Sequence, residues 1–450
     1  MNEPTNSING SASERALSRR GFVGLAAAGA LSAASLSLFG CTPAQEGSLD
    51  SGALAKDLSS TSVAAIGNEL YVSALMAGLS IEQKVAQLFV VTPEALVGAN
   101  VAKAAAEDDA ADGESDASSA SNNTGANEDV ADVTALTPEL TQAIQALPVG
   151  GITFFRENLL DPAQATALLA DLKRTVSKAC GIPPLLSIDE EGGTVSRIGG
   201  NEPFGVENVG NMADIGATGD PARAKEVAAR IAEYLEPIGF DTDFAPVCDV
   251  NSNPESDVMA KRAFAADAET VGRMVAAQVE GFEEADMICC LKHFPGLGAA
   301  PTDSHDSRIS IDATLSQLAD CELIPFRAGI EAGAPMVMMG HLSLPSITDN
   351  DIPASLSSAI VQDVLRDQLE FNGVIITDAL EMSAIANFYS SGEAAVSALQ
   401  AGCDLLLMPL DLQAAYDAVL EAVNTGALPA ERFNESVKRV LRMKIAYGLA

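Results

Sequence analysis

Apolar residues gather in eight short runs along the chain. They are VAQLFVV (Val85–Val91), GGITFF (Gly150–Phe155), PLLSID (Pro184–Asp189), FDTDFAP (Phe240–Pro246), MICCLKHF (Met287–Phe294), MVMMGH (Met336–His341), GVIITDAL (Gly373–Leu380) and CDLLLMP (Cys403–Pro409). Most are nearly continuous in their apolar character, where a strand with one wet face would alternate. That pattern predicts strands buried on both faces. Between them run amphipathic stretches such as SLSSAIVQDVLRDQLE, with a serine placed to cap the N-terminus and apolar residues at helical spacing. Strands alternating with helices predict a parallel sheet, and eight strands close a (β/α)8 TIM-type barrel. The alternative is an open doubly wound sheet, but no GxGxxG follows the first run to suggest a dinucleotide site.

Three segments stand outside this pattern. Residues 1–41 carry paired arginines (Arg19, Arg20), a run of small apolar residues and Leu38-Phe39-Gly40-Cys41. This reads as a twin-arginine export signal ending in a lipobox-like cysteine. The expectation is cleavage at Cys41, lipidation there, and a mature protein anchored to the outer face of a bacterial cell membrane. Residues 42–75, rich in Ser, Ala and Gly, are expected to form a flexible tether, leaving 76–450 as one barrel domain. Within it, about 101–135 form an acidic insertion (AAAEDDAADGESDASSASNNTGANEDVADV at its heart) with too few large apolar residues to fold.

Composition narrows the function further. The 450 residues carry a formal net charge of −36, which argues against nucleic acid as a partner. Six cysteines besides Cys41 show no metal-like spacing, and four of them (Cys248, Cys289, Cys290, Cys403) sit in or beside apolar runs as small hydrophobes. No cofactor or disulfide framework is expected, and the protein is expected to be a monomer. Histidine is the informative scarcity. There are three in the whole chain, two of them within LKHFPGLGAAPTDSHDSRIS.

In a barrel the C-terminal strand ends surround one mouth, where barrel enzymes hold their active sites. Asp189, Lys292, His293, His341 and Asp378 all fall at such ends. His341 also reads as a satisfied core histidine. Two chemistries fit the rim: a cation held by His293, His341 and Asp378 that activates water, or acetal cleavage with Asp378 as nucleophile. A sugar-binding protein without catalysis is a third reading.

The motifs IDEEGGTVSR, AKRAF, LKHFPGLG followed by TDSH, GHLSLP and GVIITDALEM, in that order, resemble the family 3 glycoside hydrolases. Within that family they resemble the β-N-acetylglucosaminidases (β-hexosaminidases). The resemblance implies that Asp378 is the nucleophile, and that His305 is the acid/base with Asp303 as its orienting partner. It implies further that Asp189, Arg197, Arg262, Lys292 and His293 hold the non-reducing sugar, and His341 is placed with them. The chain departs from the pattern at Leu297 and Ala299-Ala300, where many members have a histidine and then Asp-Thr, and near Arg308, where a proline is common. The expected activity is retaining, exo-acting release of terminal GlcNAc from peptidoglycan-derived fragments. β-Glucosidase or xylosidase specificity and phosphorolysis are the rivals within the family. The FPGLGAAP connection is expected to be pliable, because glycine frees the backbone, and to carry Asp303 and His305 on a loop that opens and closes.

Overall fold

The computed structural model describes residues 60–98, 131–253, 259–300 and 309–450. The expected signal with Cys41, most of the tether, the body of the acidic insertion, and Asp303 and His305 therefore lie outside the described residues. Two compact units divide at Glu69 and Leu70. Of the first, the described residues belong to a helix running Ser60–Gly78. The tether expected over 42–75 is thus helical from Ser60 onward. Val72 and Met76, one turn apart, are buried together with Leu79, a spacing that lays them along one face.

The second unit is the barrel. Its strands are β1 (Phe89–Val91), β2 (Gly151–Phe154), β3 (Leu185–Ile188), β4 (Thr242–Asp243), β5 (Ile288–Phe294), β6 (Met336–Met339), β7 (Val374–Thr377) and β8 (Leu406–Leu407). All pair in parallel, in the order β7-β6-β5-β4-β3-β2-β1-β8. A parallel bridge between Ile376 and Leu405 joins β7 to β8 and closes the ring. Every strand residue is buried, as the continuous apolar runs require. β1 is shorter than its run because Ser80 and Gln83 form a capping box that starts a helix at Ile81–Ala86, which takes up the first part of the apolar stretch.

Around the strands lie α1 (Pro138–Ala146), α2 (Pro162–Cys180), α3 (Pro221–Leu235), α4 (Ala268–Glu284), α5 (Leu323–Glu331), α6 (Ala359–Gln368), α7 (Ser391–Ala401), α8 (Leu412–Thr425) and α9 (Ala430–Ala446). Asp161, Asp220, Asp267 and Asp411 cap α2, α3, α4 and α8 by accepting from their first free N–H groups. Part of the acidic surplus is therefore helix-capping. α6 departs from expectation, being wound as a π-helix whose N-cap, Ser358, makes no side-chain cap. Ser355, three residues earlier in the same run, is the partner of His341.

Inside the ring, alternate residues point to the axis. Ile288 and Cys290, Met336 and Met338, Val374 and Ile376, and Leu405 and Leu407 share one core cluster with Val90, Leu185 and Phe244. Two residues further along the same rows come Lys292 on β5, Asp378 after β7 and, counting from Leu185 through Ser187, Asp189 after β3. The periodicity that fills the core thus delivers the polar groups to its C-terminal mouth. At the opposite end, Val440 and Met443 of α9 join the cluster, and Lys444 donates to Gln87 Oε1 and to the carbonyls of Gly150 and Pro183. These acceptors stand just ahead of β1, β2 and β3, so α9 seals the N-terminal end. Cys180, Cys248, Cys289, Cys290, Cys321 and Cys403 are free thiols. No helix among the described residues is long and apolar enough to cross a membrane.

Candidate active site

Lys292 is the hub of the mouth. It is 2% exposed, and its Nζ lies 2.5 Å from Asp189 Oδ1 and 2.8 Å from Glu191 Oε1. Arg262, from the turn after β4, grips Glu191 from the other side, Nε to Oε2 at 2.8 Å and Nη2 to Oε1 at 2.7 Å. Burial works against the charged form of Glu191, but Lys292 and Arg262 outweigh it and hold the carboxyl far below its usual range. Burial likewise opposes the ammonium of Lys292, and Asp189 with Glu191 more than restores it. Three chain segments are locked together by charge, with the outer face of Asp189 still reaching solvent.

His293 follows on the same strand, across a cis peptide bond from Lys292. Its Nδ1 is 2.8 Å from Asp249 Oδ2, and its Nε2 is 3.5 Å from Arg262 Nη2. Asp249 thus holds one ring nitrogen while the Arg262 guanidinium lies beside the other. Asp249 also takes the N–H of Leu297 at 2.6 Å. The FPGLGAAP connection is consequently pinned, not pliable, as far as Ala300. Gly296 N–H bonds His293 O, Ala300 N–H bonds Leu297 O, and Leu297 is buried. A Cβ on Gly298 would fall 1.6 Å from Val250 O, so this glycine serves close backbone approach and not freedom of motion.

Asp378 stands on the turn after β7, beside β6: its N–H bonds Met339 O at 2.8 Å. Its Oδ1 accepts the N–H of Ala379 at 2.8 Å. Burial favours the neutral acid, yet the imidazoles of His293 and His341, the Ala379 N–H and Lys292 together hold its pKa below the ordinary carboxylate value. An ionised aspartate at this mouth, with one oxygen unbonded among the described residues, is chemically fit for nucleophilic attack.

The structure corrects the expected place of His341. It is fully buried, its Nε2 donating to Ala379 O at 3.0 Å and its Nδ1 receiving the Ser355 hydroxyl at 2.8 Å. Burial pushes its pKa down in spite of Asp378 nearby. Neither nitrogen is left for a sugar or a cation. His341 braces the Asp378–Ala379 turn from behind. The metal set His293–His341–Asp378 is therefore not assembled, and among the described residues no cluster of three or more His, Cys, Asp or Glu side chains is arranged to hold a metal ion.

Arg197 lies on the loop after β3, its guanidinium 5.4 Å from the centre of the Phe155 ring. It lines a cavity of about 470 Å³ with Phe155, Arg156, Thr194, Ser196 and Asn208. Its Nε is buried with no hydrogen-bond partner among the described residues. The structure thus brings Asp189, Lys292, His293, Arg262 and Asp378 to one end of the barrel with Arg197 on a β3 loop, and sets His341 behind them. The sequence reading missed Glu191, Glu190, Asp249 and Ser355. Glu190 and Glu191 were visible inside IDEEGG and Asp249 at the end of VCD, but the partners of Glu191 and Asp249 lie dozens of residues away, and those of Glu190 are mostly backbone amides of its own loop.

Comparison with known proteins agrees with this architecture. The Glycosyl hydrolase family 3 N terminal domain matches residues 80–443. Beta-hexosaminidase A of Pseudoalteromonas piscicida is 33% identical over 337 residues, 69% of this chain and 56% of that protein. A beta-hexosaminidase of Idiomarina loihiensis is 34% identical over 69% of this chain and 89% of its own length. The solved family 3 beta-N-acetylglucosaminidase from Paenibacillus sp. FPU-7 superposes with a TM-score of 0.71 at 35% identity, over 82% of this chain and 63% of that one. The chain thus spans little more than half of the first of these relatives and most of the second. With eight parallel strands, an aspartate after β7 and this match over most of its length, the chain belongs to glycosyl hydrolase family 3.

Proposed function

We propose that the protein is a retaining exo-β-N-acetylglucosaminidase acting through a covalent glycosyl intermediate on Asp378. The observation that carries this reading is an aspartate held ionised at the mouth where Asp189, Lys292, Arg262 and His293 converge. Asp189 and Arg197 supply an acceptor and donors for sugar hydroxyls, while Glu191 and Asp249 keep their neighbours aimed. Asp378 attacks the anomeric carbon as the leaving oxygen is protonated. His305, oriented by Asp303, fills that acid/base role, as the family resemblance implies. Water then enters where the leaving group stood, and the same imidazole takes its proton. The names borne by the relatives point to a β-linked hexosamine, and that of the Paenibacillus enzyme to GlcNAc.

The proposed setting is the outer face of a bacterial membrane, with the protein a monomer anchored through lipid on Cys41, where peptidoglycan fragments ending in GlcNAc are the natural substrate. The deciding experiment compares hydrolysis of aryl β-GlcNAc with aryl β-glucoside, following product anomers by NMR. Release of the β-anomer from the GlcNAc substrate is the expected result. First appearance of the α-anomer defeats the covalent route, and preference for the glucoside defeats the sugar assignment. Phosphate buffer serves as a check on the acceptor, since hydrolysis predicts free sugar and phosphorolysis predicts sugar 1-phosphate.

A further inference from the structure

Three acidic residues follow β3 in succession. Asp189 and Glu191 reach Lys292, whereas Glu190 turns the other way, is 0% exposed, and forms no ion pair among the described residues. Five donors converge on it instead. Its Oε1 faces the Ser196 hydroxyl (2.5 Å), the Gly199 N–H (2.8 Å) and the Tyr234 hydroxyl of α3 (2.9 Å). Its Oε2 faces the N–H groups of Arg197 (2.6 Å) and Ile198 (3.0 Å). Three successive amides wrapped around one carboxylate form a nest, here with the anion supplied by the chain itself. The wrap is tight, since a Cβ on Gly199 would fall 3.0 Å from Glu190 Oε1 and 2.9 Å from Ser196 Oγ.

We propose that Glu190 is a positioning residue for the sugar site: it fixes the Ser196–Gly199 loop so that Arg197 is presented over Phe155 into the cavity. Arg197 has no side-chain hydrogen bond of its own among the described residues to hold it there. Its placement comes from its backbone, and the backbone is held by Glu190. The neighbouring carboxyl is kept from competing. Asp243 on β4 accepts the Glu190 N–H at 2.9 Å, its Oδ2 is buried without a partner among the described residues, and burial pushes it well above the usual range toward the neutral acid. One carboxyl is left to organise the loop.

The inference rests on reading the mouth as a sugar site, but its test separates the two. Glu190→Gln keeps the volume and puts an N–H₂ group among donors. In that variant the amides of Arg197, Ile198 and Gly199 are expected to exchange with solvent at least about tenfold faster, the rest of the barrel being unchanged. On aryl β-GlcNAc, kcat/KM is expected to fall about tenfold, mainly through KM. Adding Arg197→Ala then costs less than about twofold more, although it is costly in the wild-type background. Losses that multiply, or unchanged exchange at those three amides, overturn the proposal. If Glu190→Gln does not fold, Tyr234→Phe removes one donor and must show the same exchange change in weaker form; no change there is equally fatal. Absence of all glycosidase activity in the wild type defeats the function proposed above, while the exchange rates still decide this one.

Discussion

At the scale of single residues, the site is an arrangement of charges that cannot be thinned without cost. Lys292 is held by two carboxylates in the protein interior. Lys292→Met leaves Glu191 buried with one cation in place of two and is expected to destabilise the fold by about 3–5 kcal/mol, read by denaturant unfolding. Asp378→Ala is the opposite case: it should lower kcat at least about a thousandfold while the barrel stays folded, since the carboxylate is engaged mainly by its own turn. The pH dependence follows from the lowered pKa of Asp378. A carboxyl depressed in the folded state adds stability that is fully present above its unfolded value and is lost as pH falls through the folded one. The same carboxylate should keep the acidic limb of kcat/KM below the ordinary aspartate range. A limb well above that range would mean that another group is being titrated.

At the scale of elements, the rim was legible wherever a polar residue ends an apolar strand. Asp189, Lys292 and Asp378 each lie one step past a core row, so strand periodicity alone brings them to the mouth, whereas His293 falls on the alternate row and is legible only as the neighbour of Lys292. The residues that orient them were not legible: Glu191 and Asp249 act through partners that only the closed barrel makes adjacent, while Glu190 and Ser355 act within loops whose course no periodicity dictates. The connection after β5 shows how composition misleads: Gly296 and Gly298 suggest freedom, yet the segment is buried and hydrogen-bonded as far as Ala300. Gly298→Ala puts a methyl group into the Val250 carbonyl. It is expected to cost about 1–3 kcal/mol in thermal or denaturant unfolding and to reduce activity by displacing the chain beyond His293. Unchanged stability and activity would restore the pliable connection.

At the scale of the whole molecule, the two ends of the barrel divide the work. Lys292, Arg262, Asp189 and Glu191 crowd the C-terminal mouth, while at the N-terminal end Asp404, just ahead of β8, pairs with Arg366, Arg432 and Arg439, and α9 sets one buried ammonium, Lys444, on three neutral acceptors. Burial, only partly opposed by Cys180 and Asp241, lowers its pKa to about 8. The sign of the consequence is the reverse of that for Asp378. Between about 8 and the unfolded lysine value near 10.4 the unfolded chain binds the extra proton, so this group's contribution to stability grows as pH rises through that window. Other groups titrate there too, including buried thiols whose pKa values are raised and whose contribution falls with pH. A difference measurement isolates the lysine. Lys444→Met lacks the proton at every pH, so the stability of wild type relative to the variant should climb from pH 8 to 10 by at most about 1.4 kcal/mol per unit. A flat difference would mean that the amine keeps its proton throughout, sheltered by solvent that reaches the base of the barrel beneath α9.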